Sequence, residues 1–304
     1  MRNELDALLK KTEFSQERGD RVIFAGDMIN KGPDSAAVIE LAMQINATSV
    51  RGNHEDNVLR TWAGADVART LAEGSESEKA KAVEKYEASL TSKELDALKT
   101  ARTLSTEQRQ WSANLPLVLR LGDLPGFGDV AVVHGGMAPG IKVEDQDSWA
   151  LYNVRSVVYP DEDGKFSSEE EEEGFHVSTT SKLSDRRPGR IPSDEDIEAE
   201  KERVLEYYQS ADIPAIPIDT NEGRWWVEAW NEVEKAKPES ERLTLIYGHD
   251  SKRGIQTYDY SKGLDSRCVD GGSLTAMILE PEDDVCDDGD EKPLLTSRLV
   301  SVEC

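Results

Sequence analysis

The sequence predicts an α/β fold, with a largely buried sheet and helices layered against it. Three observations predict it. Short apolar runs such as RVIFAGD (21–27), VAVVH (130–134) and LTLIYGH (243–249) end at glycine or at a polar residue, as buried strands running into loops do. Stretches with helical spacing follow several of these runs, which is the strand–loop–helix alternation of an α/β sheet. The third observation is placement: the polar residues most suited to chemistry sit at the strand-to-loop junctions, where sites of α/β sheets assemble.

Taken in order, MRNELDALLKKTEF predicts a helix with Leu5, Leu8 and Leu9 on one face and no capping residue before it. A strand is predicted over 21–27. PDSAAVIELAMQI then predicts a helix with Pro33 in its first turn and Ala36, Ile39, Ala42 and Met43 on its apolar face. ATSVRGN (47–53) reads as a second strand and HEDNVLRTW as the next helix. Residues from about 66 to 112 are rich in Ala, Glu, Lys and Leu, with helical spacing at Leu90, Leu95 and Leu98. They are expected to form a helical insertion. LVLRL and VAVVH are strand-like. Residues from about 159 to 200 form a polar, acidic insertion, with five glutamates at 169–173 and a basic patch at Arg186, Arg187 and Arg190. Like charges side by side do not pack, so this insertion is expected to be a solvated or disordered loop. WWVEAWNEVEKA (225–236) predicts a helix with an aromatic face. SLTAMILE and SRLVSVE close the chain as strands. The whole, 1–304, is read as a single domain carrying both insertions.

Composition narrows the function. The chain carries a formal net charge of −25 and only 37% hydrophobic residues. Its overall field therefore does not attract nucleic acid. A polyanionic substrate needs metal ions or a local basic pocket to reverse that field. No apolar run is long enough to span a membrane, and the first residues lack the apolar core of a signal peptide. Three cysteines, Cys268, Cys286 and Cys304, form no framework and are expected to be free thiols.

Four segments carry the chemistry: Gly26-Asp27, Gly52-Asn53-His54-Glu55, His134-Gly135-Gly136 and Gly248-His249. Three of the four histidines in the chain fall within them; His176 lies in the polar insertion and is assigned no role. Carboxylate, amide oxygen and imidazole together suit a borderline divalent metal.

GDMINKGPDS, RGNHED, VVHGG and YGHD, in that order, resemble the phosphoprotein-phosphatase branch of the calcineurin-like metallophosphoesterases. That family's pattern is GDxHG, GDxxxxG, GNHE, HGG and GH. Asn30-Lys31-Gly32-Pro33 and GLDSRCVDGGSLTAMIL (263–279) are more similar to the symmetrical diadenosine-tetraphosphatase group and its relatives, which include fungal zinc-dependent endopolyphosphatases. The resemblance implies a central β-sandwich of mixed sheets flanked by helices. It also implies two divalent ions, of Zn, Mn, Fe or Co. Asp27 would bridge them, and Asn53, His134 and His249 would complete the second. A bridging hydroxide would attack phosphorus. His54 would protonate the leaving oxygen, oriented by Asn30. Lys31 would contact phosphate, with Arg155 and Arg51 as further contacts, and Lys252 and Arg253 could extend a basic pocket along a polyphosphate chain.

Two departures shape the expectations. Asn30 stands where protein phosphatases of the family carry a carboxylate, which favours a good leaving group such as a phosphoanhydride. GDxHG precedes a helix resembling MRNELDALLKK in the family, and here that helix begins at Met1. The first metal site is therefore expected to be broken and the second retained. The resemblance then implies an endopolyphosphatase-like hydrolase of inorganic polyphosphate. The alternatives are a dinucleoside tetraphosphate hydrolase, a serine/threonine protein phosphatase, or a catalytically dead domain that binds phosphate or a partner. The residues shown suggest a soluble protein. A vacuolar lumen is implied if it resembles the fungal enzymes in full, and a cytoplasmic location otherwise.

Overall fold

Strand Gly128–Val133, which we call β4, shows how the layers arise. Ala131 and Val133 face one buried cluster and Val130 and Val132 another, the period-2 pattern of a strand covered on both faces. The computed structural model describes residues 1–159, 215–282 and 293–304. The glutamate run, the basic patch, His176 and Cys286 lie outside the described residues.

Before β4 come α1 (Arg2–Lys11), β1 (Ile23–Phe24), α2 (Ser35–Gln44), β2 (Thr48–Ser49), α3 (Asn53–Leu71), α4 (Glu76–Glu87), α5 (Ser92–Thr103), α6 (Thr106–Ala113) and β3 (Val118–Leu124). After it come α7 (Ser148–Asn153), β5 (Ser156–Val158), β6 (Ile216–Ile218), β7 (Arg224–Trp225), α8 (Trp226–Ala236), β8 (Leu243–Tyr247), β9 (Gln256–Tyr258), β10 (Ser261–Gly263), β11 (Ser273–Pro281) and β12 (Leu295–Glu303). A mixed five-stranded sheet has the order β3-β4-β8-β10-β9, with β4–β8 and β8–β10 parallel. A three-stranded sheet has β5 at its centre, β1 pairs with β2 in parallel, and β11 pairs with β12 as an antiparallel hairpin.

The main core lies on one face of the five-stranded sheet, where Trp226 and Trp230 of α8 pack against Met137, Leu151, Leu245 and Tyr247. The aromatic face predicted for 225–236 is this contact. On the other face, Val50, Val130, Val132 and Ile246 meet Leu264 and Met277. A third cluster joins Ile29, Ile39 and Val58 to Ala97, Ala101 and Leu104. It fixes the helical insertion to the loop after β1.

Two local expectations change. Asp34, not Pro33, opens α2: its side chain accepts from the Ala37 N–H, and Pro33 lies one residue outside the cap. Val38 and Leu41 are buried while Met43 is exposed, because α1 as well as the third cluster packs on this helix. The expectation of free thiols is corrected for two cysteines. Cys268 and Cys304 form a disulfide across a Cα separation of 5.2 Å. The pairing of Ser273 with Glu303 in the β11–β12 hairpin brings the chain end beside the loop after β10, an approach invisible at a sequence separation of 36.

Candidate metal centre

Backbone strain marks the site before any side chain is considered. Asp27, Asn30 and His249 all lie in the left-handed region, at φ 56°, 78° and 66°, which non-glycine residues adopt at a cost. Gly26 precedes them at φ 86°. A Cβ there would stand 2.6 Å from His134 Nδ1. A Cβ on Gly52 would stand 2.2 Å from Asp27 Oδ1. Both glycines let two loops touch.

Glu55 holds those loops together. Its carboxylate is fully buried. One oxygen accepts the N–H groups of Asp27 (2.9 Å) and Gly52 (2.8 Å). The other accepts those of Met28 (2.7 Å) and Ile29 (3.3 Å). Burial, and then the Asp27 charge, pushes its pKa up to about 7, while the four N–H donors favour the ion. Residue 55 belongs to the Gly-Asn-His-Glu segment, yet sequence reasoning gave it no role.

At the centre, His134 is buried at the end of β4 and donates from Nδ1 to the Ala25 carbonyl, 2.7 Å away. In the neutral ring, Nε2 therefore carries a lone pair. Asp27 Oδ1 lies 3.2 Å from that nitrogen, Asn53 Oδ1 3.0 Å and His249 Nδ1 3.2 Å. The ring planes of His134 and His249 are nearly perpendicular, 5.0 Å apart. Four acceptor atoms thus crowd one point. A single proton satisfies one pair among them; a divalent cation satisfies them all. Asp27, His134 and His249 are the one group of three or more potential ligands among the described residues with all donor atoms within 4.8 Å of each other. Turned over, the Asn53 amide nitrogen stands 3.2 Å from both Asp27 oxygens. That amide has one setting for a cation and another without it. The donor set fits a divalent metal.

Electrostatics agree with a cation site. Burial opposes the Asp27 charge, but His134 and the other two histidines hold its pKa well below the usual carboxylate range. Burial also opposes charge on His134, and Asp27 and the Ala25 carbonyl outweigh it, raising that pKa above 6.5. Burial and the neighbouring His134 keep His249 well below 6.5, so it is a ready neutral ligand.

His54 sits at the rim, with Nε2 3.7 Å from Asp27 Oδ2. Burial lowers its pKa, Asp27 opposes the shift, and Lys31 and Lys93 add to it. Asn30 Nδ2 lies 3.1 Å from His54 Nδ1. A cavity of about 530 Å³ opens beside these residues and is lined by Asn30, Lys31, Asn53, His54, Arg60, Lys93, Trp149, Tyr152, Asn153 and the carboxylates of Asp56 and Asp96.

The other basic residues singled out in the sequence are engaged elsewhere or stand apart. Arg51 donates to the Ala113 and Leu115 carbonyls and so ties α6 to the strand β2 loop. Arg155 donates to Asp250 at 3.2 Å. Arg253 pairs with the other oxygen of Asp250 at 3.2 Å and covers the Trp225 ring at 4.4 Å. Lys252 is exposed. Lys31 is exposed at the cavity.

A sequence model of the calcineurin-like phosphoesterase family matches residues 2–208. The chain is 25% identical over 291 residues to a symmetrical bis(5'-nucleosyl)-tetraphosphatase of Nitrosospira multiformis, a match covering 91% of this chain and 88% of that protein. A protein of the same name from Bordetella pertussis is 40% identical over 62 residues, and there the match spans only 22% of the relative's length. A crystal structure of a protein with a provisional diadenosine-tetraphosphatase name is similar in fold. Its TM-score is 0.55 at 20% identity, covering 99% of this chain and 88% of that one.

Proposed function

The chain belongs to the calcineurin-like phosphoesterase family, a metal-dependent family, and from that premise we propose that it hydrolyses phosphoanhydride bonds in nucleoside-terminated polyphosphates. The observation that carries the reading is the convergence of Asp27, Asn53, His134 and His249 on one point, with His54 and the cavity beside it.

A divalent ion held by those four residues would lower the pKa of a coordinated water and neutralise charge on phosphoryl oxygens. The chain's own residues do the rest. Lys31 and Lys93 offset the acidic field of the molecule at the cavity, where a phosphate must enter. His54 Nε2 points toward the metal centre and donates to the leaving oxygen. Asn30 holds the ring from the opposite side.

Two observations favour a nucleoside end over a long inorganic chain. The cavity is lined by amides, the aromatic residues Trp149 and Tyr152, the cations Lys31, Arg60 and Lys93, and the carboxylates Asp56 and Asp96. The aromatic faces and amides suit a base and sugar, beside cations that suit the phosphates. Arg155 and Arg253 are both paired with Asp250 and so are not aligned as a track for polyphosphate. The names of the bacterial relatives agree with this choice. Asn30, an amide beside His54, speaks against phosphoserine esters, whose leaving alkoxide needs a proton.

The test supplies Mn or Zn and compares a dinucleoside tetraphosphate, long-chain polyphosphate and a phosphopeptide. Water added across the central anhydride yields two nucleoside diphosphates. Fastest turnover of the dinucleotide is expected; preferential cleavage of polyphosphate or the phosphopeptide overturns the substrate, and no turnover of any overturns the reaction.

A further inference from the structure

Lys93 stands where a helix least favours a cation. It is the second residue of α5, and the partial positive charge of a helix N-terminus repels a lysine there. The helix start is capped without it: Thr91 Oγ1 accepts from the Glu94 N–H, and the Glu94 carboxylate accepts the Thr91 N–H. Lys79 on α4 and Lys99 on α5 pair with Glu76 and Asp96; among the described residues Lys93 has no such partner, and it is exposed. An unpaired lysine at a helix start, in a chain of net charge −25, breaks a local rule of stability, and such breaks mark functional positions.

The cavity beside the metal centre supplies the function. Lys93 lines it with Lys31 and Arg60. Arg60 is held by Asp56 at 2.9 Å, and the other carboxylate of the lining, Asp96, is held by Lys99 at 2.7 Å. The uncompensated charges of the lining are therefore the ammonium groups of Lys31, from the loop after β1, and Lys93, from the helical insertion. Their supports are joined. Asn30, next to Lys31, shares a 3.0 Å hydrogen bond with Thr100 of α5, and Ala97, Ala101 and Leu104 of α5 and its end pack with Ile29.

The lining also gives the cavity a direction. Asn53 and His54 belong to it, whereas Asp27, His134 and His249 do not. The cavity thus starts at the rim of the metal centre and runs out past His54. In an in-line displacement the nucleophile stands on the metal side, so the group that departs past His54 lies in the cavity. We propose that Lys93 is a substrate-binding residue for a phosphate of the departing group, so that the helical insertion selects phosphoanhydrides, whose leaving group is itself a phosphate, over phosphate monoesters, whose leaving group carries none. The inference rests on the phosphoanhydride reading and adds to it a place for the leaving group. At the central anhydride of a dinucleoside tetraphosphate, the oxygen of water joins one phosphorus, the bridging oxygen leaves with the other nucleoside diphosphate, and the proton released passes to solvent. The two phosphates of that departing diphosphate are the ones that Lys93 meets.

The experiment compares the full wild-type chain, supplied with Mn, with Lys93→Ala, Lys93→Arg and Lys79→Ala, the last a control for the loss of one positive charge. It reads kcat/KM on a dinucleoside tetraphosphate and on p-nitrophenyl phosphate, and the binding of ADP and of orthophosphate by calorimetry. Lys93→Ala is expected to lower the ratio of the two kcat/KM values about tenfold and to weaken ADP about tenfold relative to orthophosphate. Lys93→Arg, which keeps the charge, should retain most of both ratios, and Lys79→Ala should leave both at the wild-type value. Equal losses on the two substrates, or unchanged ratios, overturn the proposal. If the wild type cleaves no phosphoanhydride, the reaction reading fails by itself, and binding still decides the role of Lys93: ADP held equally by the wild type and Lys93→Ala, or by neither, overturns it.

Discussion

Replacing Glu55 with glutamine changes one buried atom and should unfasten the site. The carboxylate takes two backbone N–H groups on each oxygen, from Asp27 and Gly52 on one and from Met28 and Ile29 on the other. Whichever way the glutamine amide is turned, its NH2 meets two of those four donors. Each lost bond to a charged acceptor is worth about 1.5–3 kcal/mol, so the loss of two, with partial relaxation, costs about 3–5 kcal/mol. That is a large share of a typical folding stability of about 5–15 kcal/mol. Urea denaturation of the metal-free protein, at a pH above the raised Glu55 pKa so that the carboxylate is ionised, measures it. Glu94→Gln is the control: half-buried Glu94 makes a similar capping contact to the Thr91 N–H, but that hydrogen bond is open to water, and its loss is expected to cost under about 1 kcal/mol. A Glu55→Gln variant within about 1 kcal/mol of wild type would refute the view that this carboxylate ties the loops carrying Asp27 and Asn53.

Two further outcomes follow from the same geometry. Metal binding requires neutral histidines. His134 has a raised pKa and His249 a strongly lowered one, so below the raised His134 pKa it is His134 that carries the proton an incoming ion must displace. Affinity for Zn or Mn is expected to fall about tenfold per unit as pH drops below the raised His134 pKa, with release of about one proton per ion; calorimetry in buffers of different ionisation enthalpy reads this, and affinity independent of pH across neutrality would contradict it. The Cys268–Cys304 bridge closes a separation of 36 residues, for which the loop-entropy model gives about 3–4 kcal/mol; Cys304→Ser should show that loss in chemical denaturation, and unchanged stability would show that the bridge does not constrain the unfolded chain.

Much of this was legible in the sequence for physical reasons. Buried strands need apolar runs, so β4 and β8 could be read directly, and the loops that follow them carry His134 and His249. Asp27, Asn53 and His54 stood out because each follows a strand-like run and a glycine. What the sequence hid was long-range. Thr100 lies in a helix of unremarkable composition and reaches Asn30 only because the insertion folds back onto Ile29. Arg155 and Arg253 read as phosphate contacts by their place near the motifs, while the fold brings both onto Asp250. The disulfide depended on hairpin register, which no spacing of cysteines reveals. The role of Glu55 was hidden differently: its position was visible, but its four donors come from two loops that meet only in three dimensions.

The central claim is that Asp27, Asn53, His134 and His249 form a metal centre on which phosphate chemistry depends. Its most direct test is elemental analysis of the full chain after dialysis against trace Zn or Mn, set beside His249→Ala and paired with dinucleotide turnover. Because the described residues offer one such ligand group, the account predicts one divalent ion per wild-type chain, and loss of both ion and turnover in the variant. A chain that binds no ion, or a variant that keeps its ion and its activity, would contradict it.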